Sequence, residues 1–337
     1  MWQQYTYKDT GVNRPYFVYT PVNYQIGTAV PLLVMLHGCT QTALDFATGT
    51  SMNLLAEHYG FIVVYPQQTS TSNQNLCWNW FTPANQYRGS GEPASIVGMI
   101  QAIQQDTTHW TIDPSHIYVA GLSAGGAMAV ILGATYPDLF AAIGVHSGLE
   151  YQAATNVSSG LKAMRRGGTD PLQQGRVAYT AMNTFSRIVP TIVFHGTNDG
   201  VIAPINGDQV IQQWMQTDQL ASNGSYTADF TQPASVTPGQ VPNGRSYITT
   251  TWNTTNGDEV QSYWKIARMG HAWSGGNPGG SFTDPQGPNA SLAMYSFFMT
   301  HPLSRVYHGA ISQRRKHPRF RHILADLFDI KRERRRA

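Results

Sequence analysis

A chain of 337 residues with 41% hydrophobic and 11% aromatic content is long and apolar enough for one large core, which excludes an intrinsically disordered protein. Charged residues are only 12%, about half the usual share; Asn, Gln, Ser and Thr cover the polar surface, the balance of a secreted protein. The net charge of +3 divides unevenly: residues 305–337 hold eleven Lys/Arg against three Asp/Glu, net +8, and the body holds eleven against sixteen, net −5.

In chain order, residues 15–19 read as an early strand and 31–36 as a buried strand ending at His37-Gly38. Residues 43–59 have helical spacing and stop at Gly60. A strand follows at 61–65, then a helix at 92–110 with Pro93 in its first turn. Residues 116–120 form a strand and 123–135 a helix. Strands are expected at 141–145 and 191–194, a helix at 205–220, late strands at 247–252 and 260–266, and a last helix at 288–299. This alternation indicates an α/β fold, a mostly parallel sheet with helices on both faces and the site at the carboxyl ends of the strands. Residues 151–186 and 221–243 fit the alternation poorly and are candidate insertions or a cap over the site. The expected division is a catalytic body, 1–303, and a basic tail, 304–337, which suits a solvated extension or contact with an anionic surface.

The longest strongly apolar run, residues 30–36, is too short to span a bilayer. The start Met1-Trp2-Gln3-Gln4 has neither the basic opening nor the apolar stretch of a signal peptide. Composition nevertheless favours an extracellular protein, with the cytoplasm as the alternative. Cys39 and Cys77 are too few for a disulfide framework or a cysteine-only zinc site, but can form one bridge in an oxidising compartment. The sequons at Asn156, Asn223, Asn253 and Asn289 matter only on a eukaryotic secretory route.

The strongest chemical signal is Gly121-Leu122-Ser123-Ala124-Gly125-Gly126, between a β-rich strand and an Ala-rich helix. That is the setting of a nucleophile elbow, with Ser123 at the apex of a turn too tight for other side chains at Gly121 and Gly125. A serine needs a base to take its proton. His271, in a glycine-rich loop after the strand at 260–266, follows in the right chain order. His301, His308, His317 and His322 lie in or near the tail. The acid should leave a strand between them, and Asp199 in His195-Gly196-Thr197-Asn198-Asp199-Gly200 does. Its rivals are Asp170, in the expected cap, and Asp258, in a hairpin turn. His195 reads as a structural neighbour.

The oxyanion requires two backbone donors. The N–H of Ala124 is one, and Cys39 in Leu36-His37-Gly38-Cys39-Thr40-Gln41 is the candidate for the other. Cys39 as the nucleophile is the weaker alternative, because Ser123 has the better context. Trp78 and Trp80 in Cys77-Trp78-Asn79-Trp80-Phe81, with Trp273 beside His271, are expected to form an apolar platform for substrate. No metal-binding spacing or nucleotide phosphate loop appears, so neither metal nor organic cofactor is expected, and no nucleic-acid partner.

The segments 36–41, 77–81 and 121–126, together with His146-Ser147-Gly148 and Gly270-His271-Ala272-Trp273-Ser274-Gly275-Gly276, resemble the poly(3-hydroxybutyrate) depolymerase family of α/β-hydrolase esterases, which shades into the feruloyl and acetylxylan esterases. The resemblance covers residues 15–302. It implies Ser123 as nucleophile, Asp199 as acid, His271 as base, an oxyanion hole at Cys39 and Ala124, and an ester as the partner. Secreted polymer-degrading members usually add a signal peptide, a linker and a polymer-binding domain. None is read here, which turns the expectation towards amorphous polymer, soluble oligomers or small esters. A non-catalytic binding module is the rival of another class, and such folds usually carry a broken triad.

Overall fold

The apolar runs become strands of one ten-stranded sheet in a computed structural model of the chain, which describes residues 1–9 and 12–304. The first part of the chain contains β1 (Trp2–Asp9), β2 (Val12–Tyr19), β3 (Val30–Leu36), α1 (Ala43–Thr50), α2 (Met52–Tyr59), β4 (Ile62–Pro66) and α3 (Gly91–Gln105). The centre contains β5 (Ile112–Leu122), α4 (Ala124–Thr135), β6 (Ile143–His146), α5 (Val157–Arg166), α6 (Pro171–Met182) and β7 (Thr191–Gly196). The last part contains α7 (Ile205–Ala221), β8 (Ser235–Gln240), β9 (Ser246–Asn253), β10 (Glu259–Ile266), the short β11 (Trp273–Ser274) and β12 (Thr283–Asp284), and α8 (Ala290–Thr300). The basic tail from Arg305 onward, and every expectation placed on it, lies outside the described residues.

The order across the sheet is β1-β2-β4-β3-β5-β6-β7-β10-β9-β8. Neighbours from β4 to β10 run parallel; the outer strands pair antiparallel. Alternate residues of the central strands feed two cores. Leu32, Val34, Leu36, Ile117 and Val119 pack on the side of α3, α4 and α7. Leu33, Met35, Tyr118, Ala120 and Leu122 pack on the side of α1, α2 and α8. Burial on both faces is why these strands read as nearly continuous apolar runs. The architecture is that of an α/β hydrolase.

Several element boundaries differ from the sequence expectation. The helix expected over 43–59 is two helices, because Ser51 takes a left-handed conformation (φ 53°) and turns its N–H back on Ala47 and Thr48. The break lets Gly49 meet Gly280 backbone to backbone, where a side chain on Gly280 would lie 2.5 Å from Gly49 Cα. α3 stops at Gln105, where the Asp106 carboxylate draws Thr108 and His109 into a turn. β1 leaves no apolar run in the sequence because it is a polar, half-exposed edge strand. Residues 151–186 contain α5 and α6, and 221–243 contains β8.

The chain runs from β3 outward to β4 and then back across to β5, so its direction through the sheet reverses between β3 and β5. A crevice for ligands opens at the carboxyl ends of strands at such a point. The register keeps that edge level, pairing Leu36 with Gly121, Leu122 with His146, His146 with Phe194, and Gly196 with Ile266.

Candidate active site

Ser123 sits between the end of β5 and the start of α4 with φ 60° and ψ −119°. That backbone is costly for a residue with a side chain, and close packing holds it. A Cβ on Gly121 would lie 2.4 Å from the Gly125 carbonyl, and one on Gly125 would lie 2.0 Å from Leu36 O, so only glycine fits either position. The Ser123 N–H donates to His146 O across to β6 (2.9 Å). Its Oγ bonds no group among the described residues, and the side chain lies at the foot of the crevice, 7% exposed.

Asp199 and His271 meet over the same edge. His271 Nδ1 lies 2.8 Å from Asp199 Oδ2, while Asp199 Oδ1 accepts the N–H groups of Val201 and Ile202, each at 2.9 Å. Burial pushes the Asp199 carboxyl up, but the bond to His271, the interaction with the His271 and His195 rings and the Ile202 N–H outweigh it and hold the pKa below the usual aspartate value. An ionised Asp199 fixes the proton on His271 Nδ1 and leaves Nε2 free to act. His195 lies beside them, its Nε2 donating to Ile202 O (2.9 Å) and 3.6 Å from Asp199 Oδ2.

The rivals stand elsewhere. Asp170 caps α6 by accepting the Leu172 N–H (3.0 Å). Asp258 sits in the turn between β9 and β10. His301 contacts the Glu259 carbonyl at the opposite edge of the sheet. His308, His317 and His322 fall outside the described residues.

The loop after β3 approaches Ser123. A Cβ on Gly38 would stand 3.5 Å from Ser123 Cβ and 3.5 Å from Leu122 O. The Cys39 N–H bonds no acceptor among the described residues, and Ala124 is the first residue of α4, whose N–H has no partner within the helix. The loop is anchored on its far side by a Cys39–Cys77 disulfide and by the Thr40 N–H on Asn75 O (2.6 Å).

Trp78, Trp80 and Trp273, expected on the substrate side, are 0%, 5% and 1% exposed. This corrects the platform reading: each indole is core, and its neighbours show why. Trp78 packs near His37, and Trp273 lies between Phe46 and His146 with its N–H on Ser291 Oγ (3.0 Å). They support the loops rather than face the crevice.

Gln41, His37 and His146, which lie within these motifs, hold the loops of the site in place. Gln41 accepts the Gly38 N–H through Oε1 (2.8 Å) and donates through Nε2 to Ser281 O (3.0 Å), tying the loop after β3 to the loop before β12. His37 donates through Nδ1 to Gly38 O (2.8 Å) and accepts the Gln68 N–H at Nε2 (3.1 Å). His146 accepts the Ser274 N–H at Nε2 (3.0 Å), which ties the His271 loop to the end of β6. Burial lowers the pKa of His37 to about 4, and that of His146 well below the ordinary histidine value. Both are therefore neutral, as an accepting ring nitrogen requires. The bonds to Ser281, Gln68 and Ser274 span 31 to 240 residues of chain, so local sequence pattern carries no sign of them beyond the motifs.

The family model described as Esterase PHB depolymerase matches residues 15–233. Poly(3-hydroxyalkanoate) depolymerase C of Paucimonas lemoignei is 36% identical over 244 residues, 72% of this chain but only 54% of that protein, so the chain spans about half its length. Feruloyl esterase B of Neurospora crassa is 29% identical over 204 residues, 58% of this chain and 68% of that protein. The solved acetyl xylan esterase from Aspergillus awamori is similar with a TM-score of 0.66 at 25% identity, over 80% of this chain and 94% of that one. The chain therefore belongs to the PHB depolymerase family of esterases, carboxylic ester hydrolases of the α/β-hydrolase fold.

Proposed function

We propose that this chain hydrolyses carboxylic esters through Ser123, His271 and Asp199, and that its substrate is a poly(3-hydroxybutyrate)-type polyester or its oligomers. The observation that carries the reading is the Asp199–His271 pair at 2.8 Å, set over the same sheet edge as a serine in a strained elbow. Ser123 Oγ attacks the ester carbonyl carbon while His271 Nε2 takes its proton. The N–H groups of Cys39 and Ala124 receive the oxyanion. Collapse of the tetrahedral intermediate breaks the carbonyl–oxygen bond, and the imidazolium gives its proton to the leaving alcohol. Water then attacks the acyl-enzyme through the same imidazole, which releases the acid and restores Ser123. Asp199 orients the ring and stabilises its cationic form. Free Ser123 Oγ is compatible with this role, because the serine–histidine bond often tightens only with substrate bound.

Family membership and the Paucimonas lemoignei relative favour the polyester. The likeness to an acetyl xylan esterase over 94% of that chain favours a second reading, acetyl or feruloyl esters of plant polysaccharide. The test is release of soluble 3-hydroxybutyrate from amorphous poly(3-hydroxybutyrate), with p-nitrophenyl butyrate as the control for active enzyme. Ser123→Ala should lower kcat on both by roughly 10³-fold or more. Wild-type turnover in that variant would refute the nucleophile; an active control without polymer release would move the substrate to polysaccharide esters. The Cys39–Cys77 bridge supports an oxidising compartment and hence the extracellular reading. Two free thiols in denatured protein purified under oxidising conditions would count against it.

A further inference from the structure

Phe282 is an aromatic residue that the core does not explain. It is 42% exposed, yet its ring stands edge-on to the His271 imidazole, with centroids 6.2 Å apart and planes at 74°. Its backbone is left-handed (φ 50°), a conformation that a bulky side chain adopts only when its surroundings impose it. The surroundings here are specific. Phe282 O accepts the Trp273 N–H (2.7 Å), next to the β11–β12 pairing. The preceding Ser281 donates its N–H to Asp45 Oδ1 (2.9 Å) and receives Gln41 Nε2 on its carbonyl (3.0 Å). Gln41 holds the Gly38 N–H with its other end. One side chain thus sets both the candidate oxyanion loop and the residue carrying the exposed ring.

We infer that Phe282 is the wall of the site that contacts the alcohol part of the ester, and that it favours alcohols with an apolar or ring-bearing group. The inference rests on the assignment of His271 as the base. The imidazole that takes the serine proton must return it to the departing oxygen, so the alcohol has to lie against His271. The acyl carbonyl is meanwhile held at Cys39 and Ala124. Asp199 holds the imidazole at Nδ1, and the partly exposed Phe282 ring stands next to it, centroids 6.2 Å apart. A fixed ring there offers edge and face contacts to methylenes or a second ring, and nothing to a methyl group too short to reach it. The strain has the same meaning: the loop is held so that the ring projects beside the imidazole rather than folding into the core.

The test compares kcat/KM for benzyl butyrate and methyl butyrate, followed by acid release, in wild type, Phe282→Gly, Phe282→Ala and Phe282→Tyr. The shared acyl group makes kcat/KM report acylation, the step in which the alcohol departs. Glycine suits the left-handed backbone, so Phe282→Gly removes the ring without strain and carries the test even if the alanine variant folds poorly. The benzyl-to-methyl ratio should fall roughly tenfold in the glycine and alanine variants and return in the tyrosine variant. Methyl 3-phenylpropanoate against methyl butyrate varies the acyl side instead, and that ratio should move less than about twofold. An unchanged benzyl-to-methyl ratio, or a shift only in the acyl ratio, would overturn the assignment of Phe282. Turnover surviving in Ser123→Ala would instead overturn the underlying mechanism.

Discussion

Gly125 has no room for a methyl group: a Cβ there would lie 2.0 Å from Leu36 O and 2.7 Å from His37 O, both backbone atoms. Backbone cannot swing aside as a side-chain tip can, so the turn itself would have to open. Gly125→Ala should cost about 2–3 kcal/mol or more in urea unfolding and displace Ser123. A wild-type midpoint would show that the elbow is looser than its contacts indicate. At Asp199 the effect should be chemical rather than structural. Asp199→Asn can still accept the Val201 and Ile202 N–H groups, but an amide cannot both keep them and stabilise an imidazolium. With Asp199 as the triad acid, kcat on p-nitrophenyl butyrate should fall roughly 10²- to 10⁴-fold with little change in melting temperature. A kcat within about threefold of wild type would remove Asp199 from the mechanism.

Elements bring their own polar groups into burial. Between β6 and α5, Glu150 is buried with neither oxygen hydrogen-bonded in good geometry, and it is pressed against Gly168, where a Cβ would be 2.3 Å from Oε1. Burial, with the Asp170 charge second, raises its pKa to about 8 from an ordinary 4.5. The folded protein therefore keeps a proton that the unfolded chain has lost. The stability this group allows is complete below pH 4.5 and is lost as pH rises through about 8. Glu150→Gln cannot ionise, so its melting temperature should gain on wild type between pH 5 and pH 9, by about a few degrees. An advantage that does not grow with pH would mean that Glu150 is already ionised or solvated. Two sequons also have a structural use. Asn156 caps α5 through the Ser159 N–H, with Ser159 Oγ receiving the Asn156 N–H, and Asn289 caps α8 through the Leu292 N–H. The Asn-x-Ser/Thr pattern therefore coincides with helix starts, where a short polar side chain replaces the missing intrahelical acceptor.

At the scale of the fold, three neutral imidazoles among the described residues lie buried at the carboxyl edge of the sheet: His37, His146 and His195. Two accept a loop N–H and so join segments distant in sequence, while the third donates to a carbonyl within its own loop. Desolvation lowers all three, His37 to about 4. The unfolded chain binds protons on these residues below its ordinary 6.5 while the folded chain does not, so stability falls with acid across that window. For His37 alone the loss by pH 4 is roughly 3 kcal/mol. Melting temperature should therefore drop steadily from pH 6.5 to pH 4, opposite in sign to the Glu150 effect. A flat profile over that range would mean that these rings are protonated or hydrated in the folded state. Among the described residues no helix is long and apolar enough to cross a membrane.

Sequence alone determined the layered α/β architecture, because strands buried on both faces leave continuous apolar runs and their helices fall between them in order. It also marked Ser123, since the glycines of a strand–helix elbow are adjacent in the chain, and it ranked Asp199 and His271 by their places after expected strands. Local pattern could not show β1, whose polar edge residues pair only once β2 is beside them, or the break at Ser51, which accompanies the approach of Gly49 to Gly280 from 231 residues further along the chain. Tertiary structure alone decided that Asp199, and not Asp170 or Asp258, bonds His271 across 72 residues. It likewise decided that the tryptophans are core and that Phe282 is the exposed ring beside His271. An aromatic residue carries the same apolar surface in either setting; which face meets water depends on what the rest of the chain places against it.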